Sequence, residues 1–315
     1  MSIDLPLEQA SLIQLQQTPI DNVLRIIDEG LVHLPSYREL YYRWEKQQWK
    51  ASDIDFTVDH EQWQAMPPEE RTMRLVGLSS FFQGEASVTD TLSPYIMAMP
   101  EEEMRIFTTT QQVDEARHTI FFSRFFSEVI GLDRGNLEDT LTEVRQYMSP
   151  RIKSILIDAL NDVALRLRQD PTNLTTLVEG VTLYHVIIEG SMALAGQRGI
   201  LEVYRLNNLF PGFRGGFTAV ARDESRHVVF GVKFLRDMIQ RDHAYAKVVQ
   251  TAVEKYAPNA LLAITPPDEQ VQRILTAGED PWFTPRFAQD SLRKKLKVVG
   301  LSMSLPEVPP APAAA

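Results

Sequence analysis

The chain of 315 residues contains no cysteine. This excludes disulfide bonds, thiolate nucleophiles, and zinc or iron–sulfur sites with cysteine ligands. Histidine is also scarce, because only six occur in the whole sequence. Lysine and arginine number 32 against 42 aspartates and glutamates, which gives a net charge of −10. An acidic chain is a poor electrostatic match for nucleic acid, so we expect no nucleic-acid partner.

Two further absences concern export and membranes. The N-terminal segment lacks the basic stretch that begins a signal peptide. No apolar run approaches the ~20 residues that a membrane-spanning helix needs, so we expect no transmembrane span. Together with the absence of cysteine, these features predict a cytoplasmic protein.

The residues that are present predict an all-α fold. Apolar residues recur at helical spacing through most of the chain, and alternating strand patterns are scarce. We expect one helical domain over residues 1–300 and a disordered Pro/Ala-rich tail over residues 301–315. Residues 51–63 are expected to form an extended connector. The predicted helices span residues 20–29, 37–49, 68–97, 101–130, 150–168, 173–206, 216–241, 244–255, 268–276 and 284–298.

Two of these helices carry the same short motif, Asp-Glu-x-x-His, which begins at Asp114 and again at Asp223. Residues three apart share a helix face, so the glutamate and the histidine of each copy can reach one point. A carboxylate oxygen and an imidazole nitrogen that converge in this way suit iron, manganese or zinc. A single Glu-x-x-His is weak evidence, because helices also use such pairs as surface contacts.

The helix before each motif contains one glutamate within an apolar segment. Glu85 follows two phenylalanines, and Glu189 follows two isoleucines. Charged side chains are almost never fully buried unless they are paired or bound to metal. In ferritin-like proteins, two Glu-x-x-His helices and two single-glutamate helices hold a pair of metal ions. The candidate metal ligands are therefore Glu85, Glu115, His118, Glu189, Glu224 and His227.

The aspartate that begins each motif is a candidate partner for a ligating histidine. Such a histidine usually donates its second N–H group to a carboxylate or a carbonyl oxygen. We expect Asp223 to accept this hydrogen bond from His118, across the site. For Asp114, a corresponding role and a position as a surface acid both stay open.

Four segments resemble the ribonucleotide reductase small-subunit superfamily of ferritin-like proteins. They are GEASVT at 84–89, DEARH at 114–118, YHVIIEG at 184–190 and DESRH at 223–227. The pair Val88 and Tyr184 narrows the resemblance to the R2-like ligand-binding oxidases. The resemblance covers about residues 41–241 and implies a ferritin-like four-helix bundle with additional flanking helices.

The resemblance also implies a chemistry. It implies a centre of iron and manganese, or of two irons, that activates O2. It implies that oxidation joins the Cβ atom of Val88 to the phenol oxygen of Tyr184, which makes these two residues the catalytic candidates. A long-chain fatty acid, bound in an apolar channel with its carboxylate at the metals, and a homodimer are implied as well.

Two positions depart from those relatives. His185 stands where they carry asparagine, and we expect it to lie behind the ligands, with a role as a third histidine ligand as the alternative. Gln197 stands where they carry tyrosine, beside the expected carboxylate of the ligand.

The position of Tyr184 raises a geometric problem. It precedes Glu189 by five residues, which in an α-helix turns the two side chains about 140° apart. A π-helical distortion would rotate Tyr184 back towards the site, and such distortions favour functional sites. We therefore predict π geometry between Tyr184 and Gly190.

Two other functions fit the same motifs. A ribonucleotide reductase radical subunit carries a tyrosine where this chain has Phe122, and docks through a C-terminal tail with a tyrosine that residues 301–315 lack. A ferritin-like iron store is the non-enzymatic alternative. It would bind many metal ions per chain, whereas an oxidase binds two.

Overall fold

The computed structural model describes residues 7–276 and 279–310. The predictions for residues 1–6 and for the end of the tail, residues 311–315, lie outside the described part. Within it the chain forms helices and no strand, so the predicted all-α fold is confirmed.

The α-helices follow one another along the whole described chain. In order they are α1 (Leu12–Leu15), α2 (Ile20–Val32), α3 (Tyr37–Lys46), α4 (Thr57–Ala65), α5 (Pro68–Ala98), α6 (Glu102–Phe125), α7 (Leu137–Val144), α8 (Pro150–Lys153), α9 (Leu160–Gln169), α10 (Leu174–Val181), α11 (Leu194–Leu206), α12 (Pro211–Arg241), α13 (Ala244–Ala263), α14 (Asp268–Thr276) and α15 (Phe283–Val299). Single 3-10 turns occur at Leu7–Gln9, Ala51–Asp53 and Arg145–Tyr147.

Three helical stretches widen to π geometry. They are π1 (Phe126–Ile130) after α6, π2 (Ser154–Ala159) between α8 and α9, and π3 (Thr182–Ala193) between α10 and α11. Through π3, the chain from Leu174 to Leu206 is one long helix with a mean hydropathy of 1.3 over its most apolar window. Its length and composition would allow it to cross a membrane, which the sequence analysis did not anticipate. However, 89% of that window is buried inside the fold, as in a core helix.

Local sequence explains where several helices begin. Ser11 and Ser36 each form a capping box, with Gln14 and Glu39 respectively, which satisfies backbone N–H groups at the starts of α1 and α3. Pro68 occupies the first turn of α5, where its missing N–H group would have no helical partner anyway.

Four long helices form the core and position the site. Helices α5 and α6 are joined by a short connection and pack against each other as an antiparallel pair. Helix α12 packs against α6 and π3, and α13 and α15 also pack against π3. Every residue of α12 from Gly212 to Leu235 except Lys233 is buried, including the other charged ones. The polar residues of α12 therefore require partners inside the protein.

Some predicted boundaries were wrong. Residues 57–65 form α4 rather than part of an extended connector, and α7 was not predicted at all. Helix α12 begins at Pro211, before the predicted residue 216, because Asp59 on α4 accepts hydrogen bonds from the N–H groups of Gly212 (2.9 Å) and Phe213 (2.7 Å). This carboxylate caps the helix from a distant part of the chain, so no local pattern signals it.

Residues 301–310 form neither helix nor strand. Leu301, Met303 and Leu305 nevertheless pack against the main hydrophobic core. The Gln289 side chain on α15 also donates a hydrogen bond to the carbonyl of Pro306. This part of the predicted tail thus follows the surface of the helical domain.

Candidate metal centre

The six candidate ligands come from four helical segments and meet in the core. Each of these side chains is buried, with at most 6% of its residue exposed. They are Glu85 on α5, Glu115 and His118 on α6, Glu189 on π3, and Glu224 and His227 on α12.

Their donor atoms form two overlapping groups that could each hold a metal ion. Glu85, Glu115 and His118 offer donor atoms within 4.8 Å of one another. Glu115, Glu189 and His227 do the same. Glu115 belongs to both groups, so this residue could help to hold a metal ion in either of them.

In both groups it is the Nδ1 atom of the histidine that faces the acids. Nδ1 of His118 lies 3.2 Å from Glu85 Oε2 and 3.4 Å from Glu115 Oε2. Nδ1 of His227 lies 3.1 Å from Glu189 Oε1 and 3.2 Å from Glu115 Oε1. Nδ1 is therefore the atom of each ring available to a metal.

Glu224 belongs to neither group, although it lies close to both. Burial, and then the charges of Glu85 and Glu189, raise its pKa well above the ordinary value. Its Oε2 atom and that of Glu189 are buried and have no hydrogen-bond partner among the described residues. Buried carboxylate oxygens without partners are costly, and a cation would satisfy them.

The pKa values show that the buried carboxylates lack enough positive charge around them, which metal ions would supply. Burial raises the pKa of Glu85 to about 8 and that of Glu189 to about 7. Burial alone would lower the pKa of His118 and of His227, but the neighbouring carboxylates raise both well above the ordinary value. Bound cations would favour the charged form of these carboxylates. A set of four carboxylates and two imidazoles fits two divalent ions of the first transition row.

The aspartates lie behind the histidines, and each aspartate contacts the histidine of the other motif. Asp223 Oδ2 is 3.2 Å from Nε2 of His118, which is the pairing predicted across the site. Asp114 is fully buried and not a surface acid, and its Oδ2 is 3.2 Å from Nε2 of His227. Each Nε2–H group therefore donates to an aspartate, which leaves Nδ1 free to bind a metal.

Four further residues hold these aspartates, and the sequence analysis missed them. Arg226 donates to Asp114 (2.8 Å) and to Asp223 (3.0 Å), and Arg117 donates to both as well. The indole N–H group of Trp44 donates to Asp114 (2.9 Å), and that of Trp49 to Asp223 (2.7 Å). The arginines were visible in the sequence, since both motifs read Asp-Glu-x-Arg-His. The tryptophans come from a distant segment that no pattern connects to the motifs.

The predicted π distortion is present and brings Tyr184 to the acids. Segment π3 includes both Tyr184 and Glu189, and Ser191 donates its hydroxyl to the carbonyl of Val186 (2.7 Å) within it. The Tyr184 hydroxyl lies 2.7 Å from Glu189 Oε1 and 2.8 Å from Glu115 Oε1.

His185 lies in neither of the two donor groups. Its Nε2 atom is 3.0 Å from Gln111 Oε1, and burial together with nearby His227 lowers its pKa to about 3. Gln197 is fully buried, and within the described part of the chain neither polar atom of its amide has a hydrogen-bond partner.

An apolar cavity of about 340 Å³ opens onto the acids. Its lining includes the four glutamates together with Val88 and Tyr184. The rest of the lining is mainly aliphatic residues and glycine, and much of it comes from α5, π3 and α11. None of the described residues that line it is lysine, arginine or histidine.

A helical bundle with two carboxylate–histidine groups defines a ferritin-like dimetal carboxylate protein. The sequence matches the ribonucleotide reductase small chain family over residues 32–261. The chain therefore belongs to that family, as the sequence motifs indicated.

The structure is similar to solved structures of R2-like ligand-binding oxidase variants that carry a reconstituted Mn/Fe cofactor. A tyrosine-to-phenylalanine variant is 24% identical, with a TM-score of 0.73 over 84% of this chain and 93% of that chain. A valine-to-isoleucine variant is 22% identical, with a TM-score of 0.72 and the same coverage. At these identities the comparison establishes the fold, and the predicted ferritin-like bundle is confirmed.

Proposed function

We propose that this protein is an O2-dependent dimetal oxidase of the R2-like ligand-binding type. It would hold iron and manganese, or two irons, through Glu85, Glu115, His118, Glu189, Glu224 and His227. The observation that carries the proposal is the position of Tyr184. Its hydroxyl contacts Glu115 and Glu189, and it lines the same cavity as Val88.

When bound, the metal pair would supply the activation of dioxygen. The internal substrate would be the pair Val88 and Tyr184. The Cβ–H bond of Val88 and the O–H bond of Tyr184 break, a Cβ–O ether bond forms, and dioxygen accepts the two electrons and two protons. Glu115 and Glu189 accept the hydrogen bond of the phenol, so a base lies beside the proton that must leave. The apolar surroundings keep water from the oxidation.

The cavity supports the proposal of a fatty-acid-like ligand. Its volume of about 340 Å³ and its aliphatic walls suit an alkyl chain. With no basic side chain in the lining, a carboxylate head group would gain a cation only at the metal centre. Such a ligand should be recovered by solvent extraction of the purified protein and identified by mass spectrometry.

Intact-protein mass spectrometry tests the oxidation. The full chain is loaded with Fe2+ and Mn2+ without oxygen and is then exposed to air. We expect the mass to fall by two hydrogens, and the loss to map to a linked peptide that contains Val88 and Tyr184.

The variants Tyr184→Phe and Val88→Ala should show no such loss. Tyr95→Phe is the matched control, since this buried tyrosine on α5 lies away from the acids, and its product should still lose two hydrogens. An unchanged mass in the wild-type chain with two metals bound would reject the oxidase proposal.

The radical subunit is the second candidate, because the family match is to the ribonucleotide reductase small chain. Phe122, at the position of its radical tyrosine, is fully buried among other phenylalanines and offers no phenol.

Metal analysis distinguishes the oxidase from an iron store, since an oxidase would bind two ions per chain and a store would bind many. The homodimer is tested by light scattering, and the cytoplasmic location stays a prediction.

A further inference from the structure

A chain of hydrogen bonds behind Tyr184 involves two residues to which the proposed function gives no role. Gln111 lies on α6 and His185 on π3, and both are fully buried. Nε2 of His185 is 3.0 Å from Oε1 of Gln111, and Nε2 of Gln111 is 2.9 Å from the Tyr184 hydroxyl. The chain thus runs from an imidazole through an amide to the phenol beside the acids.

The hydrogen-bond partners of Tyr184 determine which atom donates and which accepts in each of these hydrogen bonds. The Tyr184 oxygen has one hydrogen, and two carboxylate oxygens within 2.8 Å compete to accept it. The phenol oxygen must then accept from its third neighbour, so the amide N–H of Gln111 faces it. The amide oxygen consequently faces His185, which must carry its hydrogen on Nε2. Every hydrogen in the chain therefore points towards the acids.

The packing around His185 leaves it little freedom. Its ring lies 4.5 Å from that of Tyr184 and 5.5 Å from that of Phe230, measured between centroids. Gly231 on α12 packs directly against the Cβ atom of His185. A Cβ atom added at this glycine would lie only 2.2 Å from it. The burial that lowers its pKa also keeps the ring neutral, with a single N–H group.

We propose that Gln111 and His185 are positioning residues that direct the Tyr184 hydrogen at Glu115 and Glu189 and leave the phenol oxygen facing an N–H donor. The Nε2–H group of His185 holds the amide oxygen, which keeps the amide N–H group on the phenol. The amide then stabilises the negative charge that develops on the oxygen as its proton moves to a carboxylate. This inference rests on the proposed oxidation of Tyr184 and concerns how that residue is prepared for it.

The hydrogen position on His185 is the direct test. The full chain, labelled with 15N-histidine and loaded with diamagnetic Zn2+, is studied by NMR, and His185→Asn assigns the signal by removing it. We expect a neutral ring protonated at Nε2 that does not titrate between pH ~6 and ~8. A ring protonated at Nδ1, or one that titrates in this range, would overturn the inference.

The rate of ether formation is the second test. Gln111→Met keeps the length of the side chain but removes the donor, and we expect the loss of two hydrogens to slow by about tenfold. Metal content should remain two ions per chain, which excludes a loss of the site as the cause. Gln112→Met is the matched control, because the neighbouring Gln112 donates instead to Thr89 and Ser93 on α5. This control should react at the wild-type rate.

Equal rates in the wild type and in Gln111→Met would also overturn the inference. A wild-type chain that forms no ether would reject the proposed oxidation instead. In that case the NMR measurement still decides the hydrogen position on His185, so the two failures are distinguishable.

Discussion

Asp114 contacts the histidine of the other motif, His227, which lies 113 residues further along the chain, and not the histidine of its own motif. The reciprocal contact joins Asp223 to His118. Each Asp-Glu-x-x-His segment thus supplies candidate metal ligands and also an aspartate that contacts the histidine of the other segment. The two motifs depend on each other, and damage to one should weaken both.

Loss of one supporting carboxylate should weaken metal binding. Asp223→Asn keeps the size of the side chain but removes the charge that orients His118 Nε2–H. We expect metal affinity to fall by about 10–100-fold, measured by competition with a chromogenic chelator. Asp90→Asn, at an exposed position on α5, should bind metal as the wild type does. Unchanged affinity in Asp223→Asn would show that the charge of Asp223 is not needed to orient His118.

The shared position of Glu115 predicts unequal effects of two similar substitutions. Glu115→Gln alters both donor groups, whereas Glu85→Gln alters only the first. After desalting, we expect Glu85→Gln to retain about one ion per chain and Glu115→Gln to retain less. Elemental analysis measures both, with the exposed Glu138→Gln as control. Equal metal content in the two variants would mean that Glu115 does not contribute to both metal positions.

Lys295 should make stability depend on pH. It is buried on α15, where its ammonium donates to Ser291 (2.6 Å), and burial lowers its pKa from 10.5 to about 7. Asp28 on α2 and the neighbouring Lys294 are the charged groups that act on it. Between pH 7 and 10.5 the unfolded lysine binds more proton than the folded one, so the free energy of unfolding rises with pH.

The slope from this residue is up to about 1.4 kcal/mol per pH unit. Lys295→Met should remove it and raise stability near neutral pH, as measured by urea denaturation at several pH values. Lys294→Met, which changes an exposed lysine on the same helix, should keep the slope. A wild-type slope in Lys295→Met would show that the lysine is charged when folded.

Two glycines should respond differently to the same substitution. At Gly231 a Cβ atom would lie 2.2 Å from His185 Cβ, whereas at Gly199 it would meet nothing within 4 Å. We expect Gly231→Ala to lower the free energy of unfolding by about 1–3 kcal/mol through overpacking. Gly199→Ala should be neutral or stabilising by up to about 1 kcal/mol, because alanine favours helix. Similar thermal midpoints would contradict this packing.

The parts of the site that could be predicted from the sequence are those that depend on the spacing of nearby residues. Helical periodicity places Glu115 beside His118, and the offset between Tyr184 and Glu189 demands π geometry. Other contacts join segments that lie far apart in the chain. They are the capping of α12 by Asp59, the hydrogen bonds of Trp44 and Trp49 to the aspartates, and the hydrogen bond of Gln111 to Tyr184. Their pairing is set by tertiary packing, and one sequence contains no periodic signal for it.

The π geometry of π3 has a consequence for how this protein tolerates change. A π-helix spends more residues on each turn than an α-helix does, so α10 and α11 are joined by more chain than the distance requires. Removing a single residue from π3 would let the segment tighten and would turn Tyr184 away from Glu189. The number of residues in this stretch, more than their identity, thus determines which side chain the acids meet.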